Sequence, residues 1–330
     1  MSAYFETATG DLAAEALRSF ADVHGELVSA PPGFGFLTAR DTSETRAVGL
    51  LSGGGSGHEP LHCGYVGRGM LDAAVPGRVF ASPHNRQVYE ASLAVARPGG
   101  VLHLVKNYTG DRINFGIAAE RLAHQGIPCA RVLIDDDLAS DAADIAAGRR
   151  GTGGTVLVEK ILGAAADTGM GLAELQSLGE RLVARCRSLA IATSAHTSPA
   201  TGEPAFTLDA DRLEYGVGIH GERASSTTPR RPLPDLVERM TTELLGALPA
   251  DTPVISLVNG LGATTLLELY AAHGQLVHQL RGAGVPLARS LVGNYITSLD
   301  MHGFSITLMA VDPQTIGLYD APVHTPALRW

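Results

Sequence analysis

The chain has 330 residues, of which 45% are hydrophobic and 18% charged, a composition typical of a globular protein with room for two domains. Its net charge of −9 argues against nucleic acid or an anionic membrane surface as the main partner. No apolar stretch reaches the roughly 18 residues of a membrane span, no signal-peptide pattern is seen, and three widely spaced cysteines favour free thiols in a reducing cytoplasm.

The first half of the chain alternates strand-like and helix-like segments. A helix is predicted over residues 11–23, strands over residues 46–52, 77–82, 101–106 and 129–134, and further helices over residues 84–97 and 113–125. Glycine or proline follows each of the two later helices and ends it. This alternation predicts a Rossmann-like α/β domain over residues 1–185, with a mixed or mostly parallel sheet.

The second half of the chain has a different order of predicted helices and strands. Helices are predicted over residues 154–187 in two pieces, 233–248 and 264–281, and strands over residues 189–193, 214–219, 254–258, 287–292 and 304–311, with an exposed loop over residues 225–234. We therefore expect a second α/β domain over residues 186–330, with a smaller mixed or antiparallel sheet flanked by helices.

A glycine run follows the predicted strand 46–52. Four of the five residues from Gly53 to Gly57 are glycine, and His58 follows them at a predicted helix start. Such a turn lets the backbone approach a ligand and point N–H groups at it. His58 stands where a Walker loop needs lysine, and a Rossmann fingerprint would need glycine or alanine at position 58 or 60. A small polar ligand is therefore expected, with a glycine turn needed only for packing as the alternative.

His58 and His62 formally match the zinc signature H-E-x-x-H. That signature needs both histidines on one face of a regular helix. A glycine turn directly before His58 and a proline at position 60 argue against such a helix, so no metal site is predicted.

Lys106 and Asp111 lie between the predicted strand 101–106 and the helix 113–125. Ligands of open α/β sheets bind at the carboxyl ends of the strands, so both residues are expected at the edge that carries the glycine run. Taken singly, Asp111 could be a helix N-cap and Lys106 a solvated strand end. Their occurrence beside a glycine run favours a site.

His220 stands between glycines at the end of the predicted strand 214–219. A lone histidine is more often structural or solvated than reactive. Neutral imidazole is nevertheless a nucleophile that titrates near physiological pH, so covalent chemistry is available to it.

Together these segments resemble the K-subunit family of dihydroxyacetone kinases, along essentially the whole chain. The resemblance is carried by SGGGSGHEP at 52–60, GML at 69–71, VFASP at 79–83, VKNYTGDR at 105–112, GIHGE at 218–222 and SLDMHGFS at 298–305. It implies that His220 bonds covalently to the ketone carbon of dihydroxyacetone as a hemiaminal, which excludes glycerol. It also implies that His58 is an acid/base and that Asp111 accepts the proton of the attacking hydroxyl. The residues implied to line the substrate are Gly55, Ser56, Gly57, His58, Lys106, Asp111 and His220.

The resemblance also bears on the phosphoryl donor. The chain shows no phosphate-binding loop or assignable magnesium carboxylates and stops at Trp330, directly after the K-like region, so no cofactor is expected in it. The family implies a separate L-type subunit that carries ADP or ATP with Mg²⁺, recharged by a phosphoenolpyruvate-dependent phosphotransferase subunit or using ATP. It also implies a cytoplasmic homodimer.

Two alternatives remain open. One is a non-enzymatic relative that binds dihydroxyacetone and relays it to a transcription regulator, and the other is a kinase subunit for another short ketose such as erythrulose. Two departures from the family pattern bear on substrate identity. Arg223-Ala224 replaces the usual Pro-Gly, and His84-Asn85-Arg86 stands where many relatives have smaller or acidic residues.

Overall fold

A computed structural model describes residues 4–5, 11–33, 35–140, 148–222 and 226–330. The chain forms two compact units, each assembled from separate segments. The parallel unit comprises Glu6–Ile134, Thr155–Arg181 and Gly317–Trp330, and the antiparallel unit comprises Met1–Phe5, Asp135–Gly154 and Leu182–Ile316. The boundary expected near residue 185 lies close to the crossing after Arg181, but residues 135–140, 148–154 and 317–330 belong to the unit that the other half of the chain dominates.

The parallel unit is built on a six-stranded sheet in the order β1-β2-β4-β3-β5-β6. Strands β3 to β6 pair in parallel, whereas β1 and β2 add an antiparallel edge. This confirms the Rossmann-like, mostly parallel sheet. The strands are β1 Val28–Ser29, β2 Leu37–Ala39, β3 Gly49–Ser56, β4 Ala73–Val79, β5 Val101–Lys106 and β6 Cys129–Ile134; the helices are α1 Leu12–Val23, α2 Asn85–Val95, α3 Thr109–His124, α4 Gly154–Asp167 and α5 Leu172–Ala184.

The centre of this sheet is buried on both faces. Every residue of β3 and of β5 is buried, and their apolar side chains pack with α2 and α3 in a core that includes Leu51, Val105 and Phe115. Helices that cover a parallel sheet leave its strand ends as the places where polar groups can meet a ligand.

The antiparallel unit holds a second six-stranded sheet, in the order β11-β10-β12-β7-β8-β9. Only β10 and β11 pair in parallel, which confirms the mixed, mainly antiparallel sheet. The expectation of a smaller sheet is wrong, because short edge strands raise its number to six as well. The elements are β7 Cys186–Ser194, β8 Arg212–Tyr215, β9 Ser226–Pro229, β10 Val254–Gly260, β11 Leu287–Gly293 and β12 His302–Ala310, with α6 Leu233–Gly246, α7 Leu266–Gly282 and the later α8 Pro313–Asp320.

Several predicted boundaries are wrong. The strand predicted at 77–82 lies earlier, at Ala73–Val79, because pairing with β3 outweighs the weak strand propensity of the alanines there. The strand predicted at 214–219 ends at Tyr215, and the loop predicted at 225–234 contains β9, which pairs with β8. No helix in the described part of the chain is both long and apolar enough to cross a bilayer.

Candidate functional site

The glycine run is a strand and not a turn. Strand β3 pairs with β5 as far as Gly53 and continues to Ser56 against β4, and the chain turns at Gly57, whose φ is +99°. The predicted helix start at His58 is also wrong. The short helical turn that follows is a 3₁₀ turn at Cys63–Tyr65, so His58 and His62 do not share a helix face as the zinc signature requires.

The glycines of β3 have different reasons to lack a side chain. A Cβ on Gly53 would lie 2.5 Å from the carbonyl oxygen of Val75, and one on Gly55 would lie 2.7 Å from the backbone nitrogen of Ala81. These two positions are explained by close backbone packing. A Cβ on Gly54 would instead overlap the Nζ atom of Lys106, so this glycine makes room for a charged side chain.

Ser56 and Gly57 also take part in local hydrogen bonds. The Ser56 hydroxyl donates to the carbonyl oxygen of Gly77 over 2.7 Å, and the N–H of Gly57 donates to the carboxylate of Glu59 over 3.0 Å. These contacts fix the end of β3 where the substrate-lining residues are expected.

His58 is fully buried directly after this turn. Its ring stacks on Phe80, with ring centroids 5.0 Å apart and an interplanar angle of 23°. Phe80 has a φ of +54°, a left-handed conformation that is costly for an aromatic residue. Nothing in the sequence pattern indicated Phe80 as a neighbour of the site.

Lys106 and Asp111 lie at the carboxyl end of β5. The Nζ atom of Lys106 lies 3.4 Å from the carbonyl oxygen of Gly53, and the lysine is only 1% exposed, so it is not a solvated strand end. Helix α3 begins at Thr109 with Tyr108 as its N-cap, so Asp111 lies in the first turn and the N-cap alternative is wrong. The Oδ1 atom of Asp111 is buried and accepts no hydrogen bond from the described residues.

Lys106 is the first of a buried series of hydrogen-bonded titratable side chains. Its Nζ atom lies 2.7 Å from Nε2 of His62, whose Nδ1 lies 2.6 Å from Oε1 of Glu159 and 2.9 Å from the Ser52 hydroxyl. Burial lowers the pKa of Lys106 and brings the pKa of His62 well below its usual value, while it raises the pKa of Glu159 to about 8. Glu159 is a member of the site that was not predicted, although a lone acid within the apolar run of α4 is a usable signal in the sequence.

His220 lies in the antiparallel unit, in the loop after β8. Its Nδ1 atom lies 3.1 Å from Oε1 of Glu222, whose Oε2 accepts the backbone N–H of His220 over 3.0 Å. Burial would raise the pKa of Glu222, but the hydrogen bond and charge of His220, with the charge of Arg150, hold that pKa at about 2. Because a carboxylate can only accept, neutral His220 carries its hydrogen on Nδ1 and its lone pair on Nε2.

Arg150 stabilises the start of the loop that carries His220 through hydrogen bonds. Its Nη2 donates to the carbonyl oxygen of Gly216 over 3.0 Å, and its Nε donates to Asp137 over 2.7 Å. The departure Arg223-Ala224 lies outside the described residues. The other departure starts helix α2, where Nδ1 of His84 accepts the backbone N–H of Arg86 over 3.1 Å as part of a capping box.

No group of three or more histidine, cysteine or acidic side chains within the described ranges could hold a metal ion.

The residues of the predicted site fall into two sets. The parallel unit holds the end of β3, His58, Lys106 and Asp111, and the antiparallel unit holds His220.

Comparison with known proteins identifies similar chains over nearly the whole length. Residues 18–327 match the Dak1 domain. The chain is 44% identical over 321 residues to the PEP-dependent dihydroxyacetone kinase, dihydroxyacetone-binding subunit DhaK, of Escherichia coli K12, covering 89% of this chain and 90% of that one.

Two groups of solved structures are similar. The dihydroxyacetone kinase of C. freundii in complex with AMP-PNP and Mg²⁺ superposes with a TM-score of 0.90 at 31% identity, covering 99% of this chain and 60% of that one. The dihydroxyacetone kinase operon co-activator Dha-DhaQ superposes with a TM-score of 0.89 at 32% identity, covering 95% of this chain and 97% of that one.

Proposed function

Because the chain belongs to the Dak1 domain family, we propose that it is the dihydroxyacetone-binding subunit of a dihydroxyacetone kinase. The substrate is assigned by similarity to the E. coli relative, which is named for binding dihydroxyacetone and is 44% identical. The observation that carries the chemistry is the His220–Glu222 pair, since a neighbouring carboxylate that fixes the Nδ1 hydrogen makes Nε2 the nucleophile.

The proposed first step is a hemiaminal on His220. The Nε2 lone pair forms a bond to the ketone carbon, and the π electrons of the carbonyl move to its oxygen. The Nδ1 proton is released to solvent and the former carbonyl oxygen takes up one proton from solvent, so the adduct is neutral and Glu222 ends the step as a carboxylate. Glycerol has no carbonyl and cannot form this bond, which gives selectivity between two molecules of similar size.

The proposed second step is phosphoryl transfer from the partner's nucleotide to a hydroxyl of the bound ketose, which breaks the bond between the transferred phosphoryl group and the nucleotide. Asp111 accepts the hydroxyl proton, for which its buried, unengaged Oδ1 atom is the supporting observation. His58 is assigned as the acid/base partner, and Lys106 with Gly55, Ser56 and Gly57 is assigned to substrate binding. The product is dihydroxyacetone phosphate.

The donor is assigned to a partner protein. We propose an L-type subunit that holds ADP or ATP with Mg²⁺, and a homodimer of this chain in the cytoplasm. The name of the E. coli relative, a PEP-dependent kinase, favours phosphoenolpyruvate as the ultimate donor through a phosphotransferase subunit.

The test is a search for the adduct. Intact-mass spectrometry in the presence of dihydroxyacetone should show the mass of one added triose, and His220→Asn should abolish it. His278→Asn, an exposed histidine on α7, is the matched control. A chain that binds dihydroxyacetone with no covalent mass on His220 contradicts the proposed chemistry.

The co-activator similarity supports a second candidate, a dihydroxyacetone sensor without kinase activity. Asp111→Asn separates the two functions. In a kinase subunit, this variant should keep the adduct but lose phosphorylation when the partner is supplied, with the exposed Asp22→Asn as the control. A wild-type chain that forms the adduct but supports no phosphorylation with any L-type partner favours the sensor. A panel with erythrulose tests ketose identity.

A further inference from the structure

Lysine is rare and buried in this protein. Of the 25 basic lysine and arginine residues, only Lys106 and Lys160 are lysines, and each is 1% exposed. Lys160 donates to the backbone oxygen of Ala321 over 2.8 Å near Trp330, which gives it a structural role at the end of the chain. Lys106 instead faces titratable side chains from the segment after β3 and from α3 and α4.

The hydrogen bonds around His62 define where its proton sits. The hydroxyl of Ser52 donates its single hydrogen to the carbonyl oxygen of Leu104 over 2.8 Å, so its oxygen accepts from Nδ1 of His62. Glu159 approaches the same Nδ1 atom at 2.6 Å. Burial and the charge of Lys106 keep the pKa of His62 well below its usual value, so the ring is neutral. With its hydrogen on Nδ1, its Nε2 lone pair accepts a hydrogen from Lys106 over 2.7 Å.

We propose that Glu159, acting through His62, holds Lys106 as an ammonium ion beside Gly53 and Gly54, so that both are positioning residues for the lysine. The substrate-binding role of Lys106 rests on the proposed function, whereas the state of the lysine does not. The chain Lys106–His62–Glu159 is net neutral with the ammonium at one end and the carboxylate at the other. Its side chains are at most 5% exposed, so water does little to stabilise either charge.

The charges of Lys106 and Glu159 stabilise each other. Burial favours neutral Lys106, and the charges of Asp111 and Glu159 oppose it. Burial likewise raises the pKa of Glu159 to about 8, and the charge of Lys106 opposes that shift. Asp111 lies on α3 and is assigned to take a proton during the reaction, so Glu159 is the carboxylate proposed to balance the ammonium. The other titratable neighbour is His58, whose charge would act on His62 in the same direction as that of Lys106.

If the proton moved along both hydrogen bonds, Lys106 would become an amine and Glu159 a carboxylic acid, with His62 changing tautomer. The net charge would not change, so only the position of the hydrogen on His62 distinguishes the two states. An ammonium offers three donors to substrate oxygens, whereas the amine in this arrangement would accept from His62. Because the Ser52 oxygen accepts a hydrogen from Nδ1 of His62, the imidazole hydrogen lies on Nδ1, and Lys106 is then the ammonium ion.

The experiment uses the small number of lysines. In the full chain labelled with ¹³C-lysine, only two side chains give signals, and Lys160→Arg assigns them. A pH titration without ligand then gives the midpoint of Lys106. Glu159→Gln should lower that midpoint by at least one pH unit and leave Lys160 unchanged, whereas the exposed Glu180→Gln on α5 should change neither. Equal Lys106 midpoints in wild type and Glu159→Gln overturn the proposal.

A second measurement needs no variant. ¹⁵N-histidine spectra of the wild type should show His62 neutral and protonated on Nδ1 at pH 7, and an Nε2–H tautomer overturns the proposal even if Glu159→Gln fails to fold. The link to substrate is tested by the pH dependence of dihydroxyacetone affinity. The alkaline loss of affinity should move to lower pH in Glu159→Gln together with the lysine midpoint. If the midpoint moves and affinity does not follow, the binding role proposed for Lys106 is wrong and the positioning by Glu159 stands.

Discussion

At the scale of single residues, the His220–Glu222 contact gives the most direct prediction. Glu222→Gln replaces an acceptor-only carboxylate with an amide that can donate to Nδ1 and place the imidazole hydrogen on Nε2, where it blocks attack. We expect the variant to form the adduct about 10–100-fold more weakly, as for loss of a charged hydrogen-bond partner of about 1–3 kcal/mol. The measurement is adduct occupancy against dihydroxyacetone concentration by intact-mass spectrometry.

The matched control is Glu203→Gln, an exposed glutamate of the same unit, which should form the adduct as the wild type does. Since the pKa of Glu222 is about 2, its carboxylate stays ionised at any pH where the protein is assayed, and adduct formation should show no acid limb from this group above about pH 4. Wild-type adduct levels in Glu222→Gln would mean that Glu222 does not set the tautomer.

The sequence could predict residues that stand in a recognisable local pattern and no others. Lys106 and Asp111 follow a strand and precede a helix, and the topology of a parallel sheet places such residues at its carboxyl edge. Glu159 and His62 are 97 positions apart, and their hydrogen bond depends on how α4 packs against the sheet. No local pattern contains that information, so His62 was considered only as part of a zinc signature.

At the scale of elements, the glycines of β3 predict opposite outcomes for one substitution. Gly53→Ala forces a Cβ within 2.5 Å of the carbonyl oxygen of Val75, a backbone atom that cannot move alone, and should destabilise the fold by about 1–3 kcal/mol. Gly54→Ala meets the flexible end of Lys106 instead, so the protein should fold normally but bind dihydroxyacetone at least tenfold more weakly. Thermal unfolding and equilibrium binding of both variants check this, and wild-type affinity in Gly54→Ala would contradict the role of Lys106.

Strand β5 and helix α2 share a buried histidine that predicts acid sensitivity. His103 donates from Nε2 to the Ser92 hydroxyl over 2.8 Å, and burial with the charge of Arg131 lowers its pKa from 6.5 to about 3. Between these two pKa values the unfolded chain binds a proton on His103 and the folded chain does not. The contribution of neutral His103 to stability is therefore complete above pH 6.5 and is lost as the pH falls toward 3.

His103→Leu removes this contribution, and Ser92 still donates to the carbonyl oxygen of Val88. Between pH 7 and pH 5 the wild type should lose about 2 kcal/mol more of its free energy of unfolding than the variant. Urea unfolding at the two pH values measures the difference. Equal losses would show that His103 is protonated in the folded protein.

The elements that the sequence predicted best are those with a strong period or clear stop signals. Strands β5 and β6 and both pieces of the helical region 154–187 lie where they were expected. Strand β3 extends to Ser56 through three glycines because β4 pairs with it along that stretch, and strand propensities contain no information about a pairing partner. The edge strands β1, β2 and β9 are too short to produce an alternating pattern.

At the scale of the whole molecule, the order of strands along the chain gave the fold class but not the composition of the units. Residues 135–140, 148–154 and 317–330 belong to the unit opposite to the one predicted for their half of the chain. The sequence shows where elements begin and end, whereas membership of a unit depends on tertiary contacts that carry no local signature.

The phosphoryl donor distinguishes this chain from a kinase that carries its own nucleotide site. The E. coli relative is named as a subunit, and the C. freundii kinase solved with AMP-PNP and Mg²⁺ is longer, since this chain covers 60% of it. We expect the purified chain to form the dihydroxyacetone adduct but to make no dihydroxyacetone phosphate from ATP and Mg²⁺ alone. Addition of an L-type subunit charged with nucleotide should restore phosphorylation, and Asp111→Asn should not respond to it. Coupled detection of dihydroxyacetone phosphate measures this, and robust ATP-dependent turnover by the pure chain would require a nucleotide site within it.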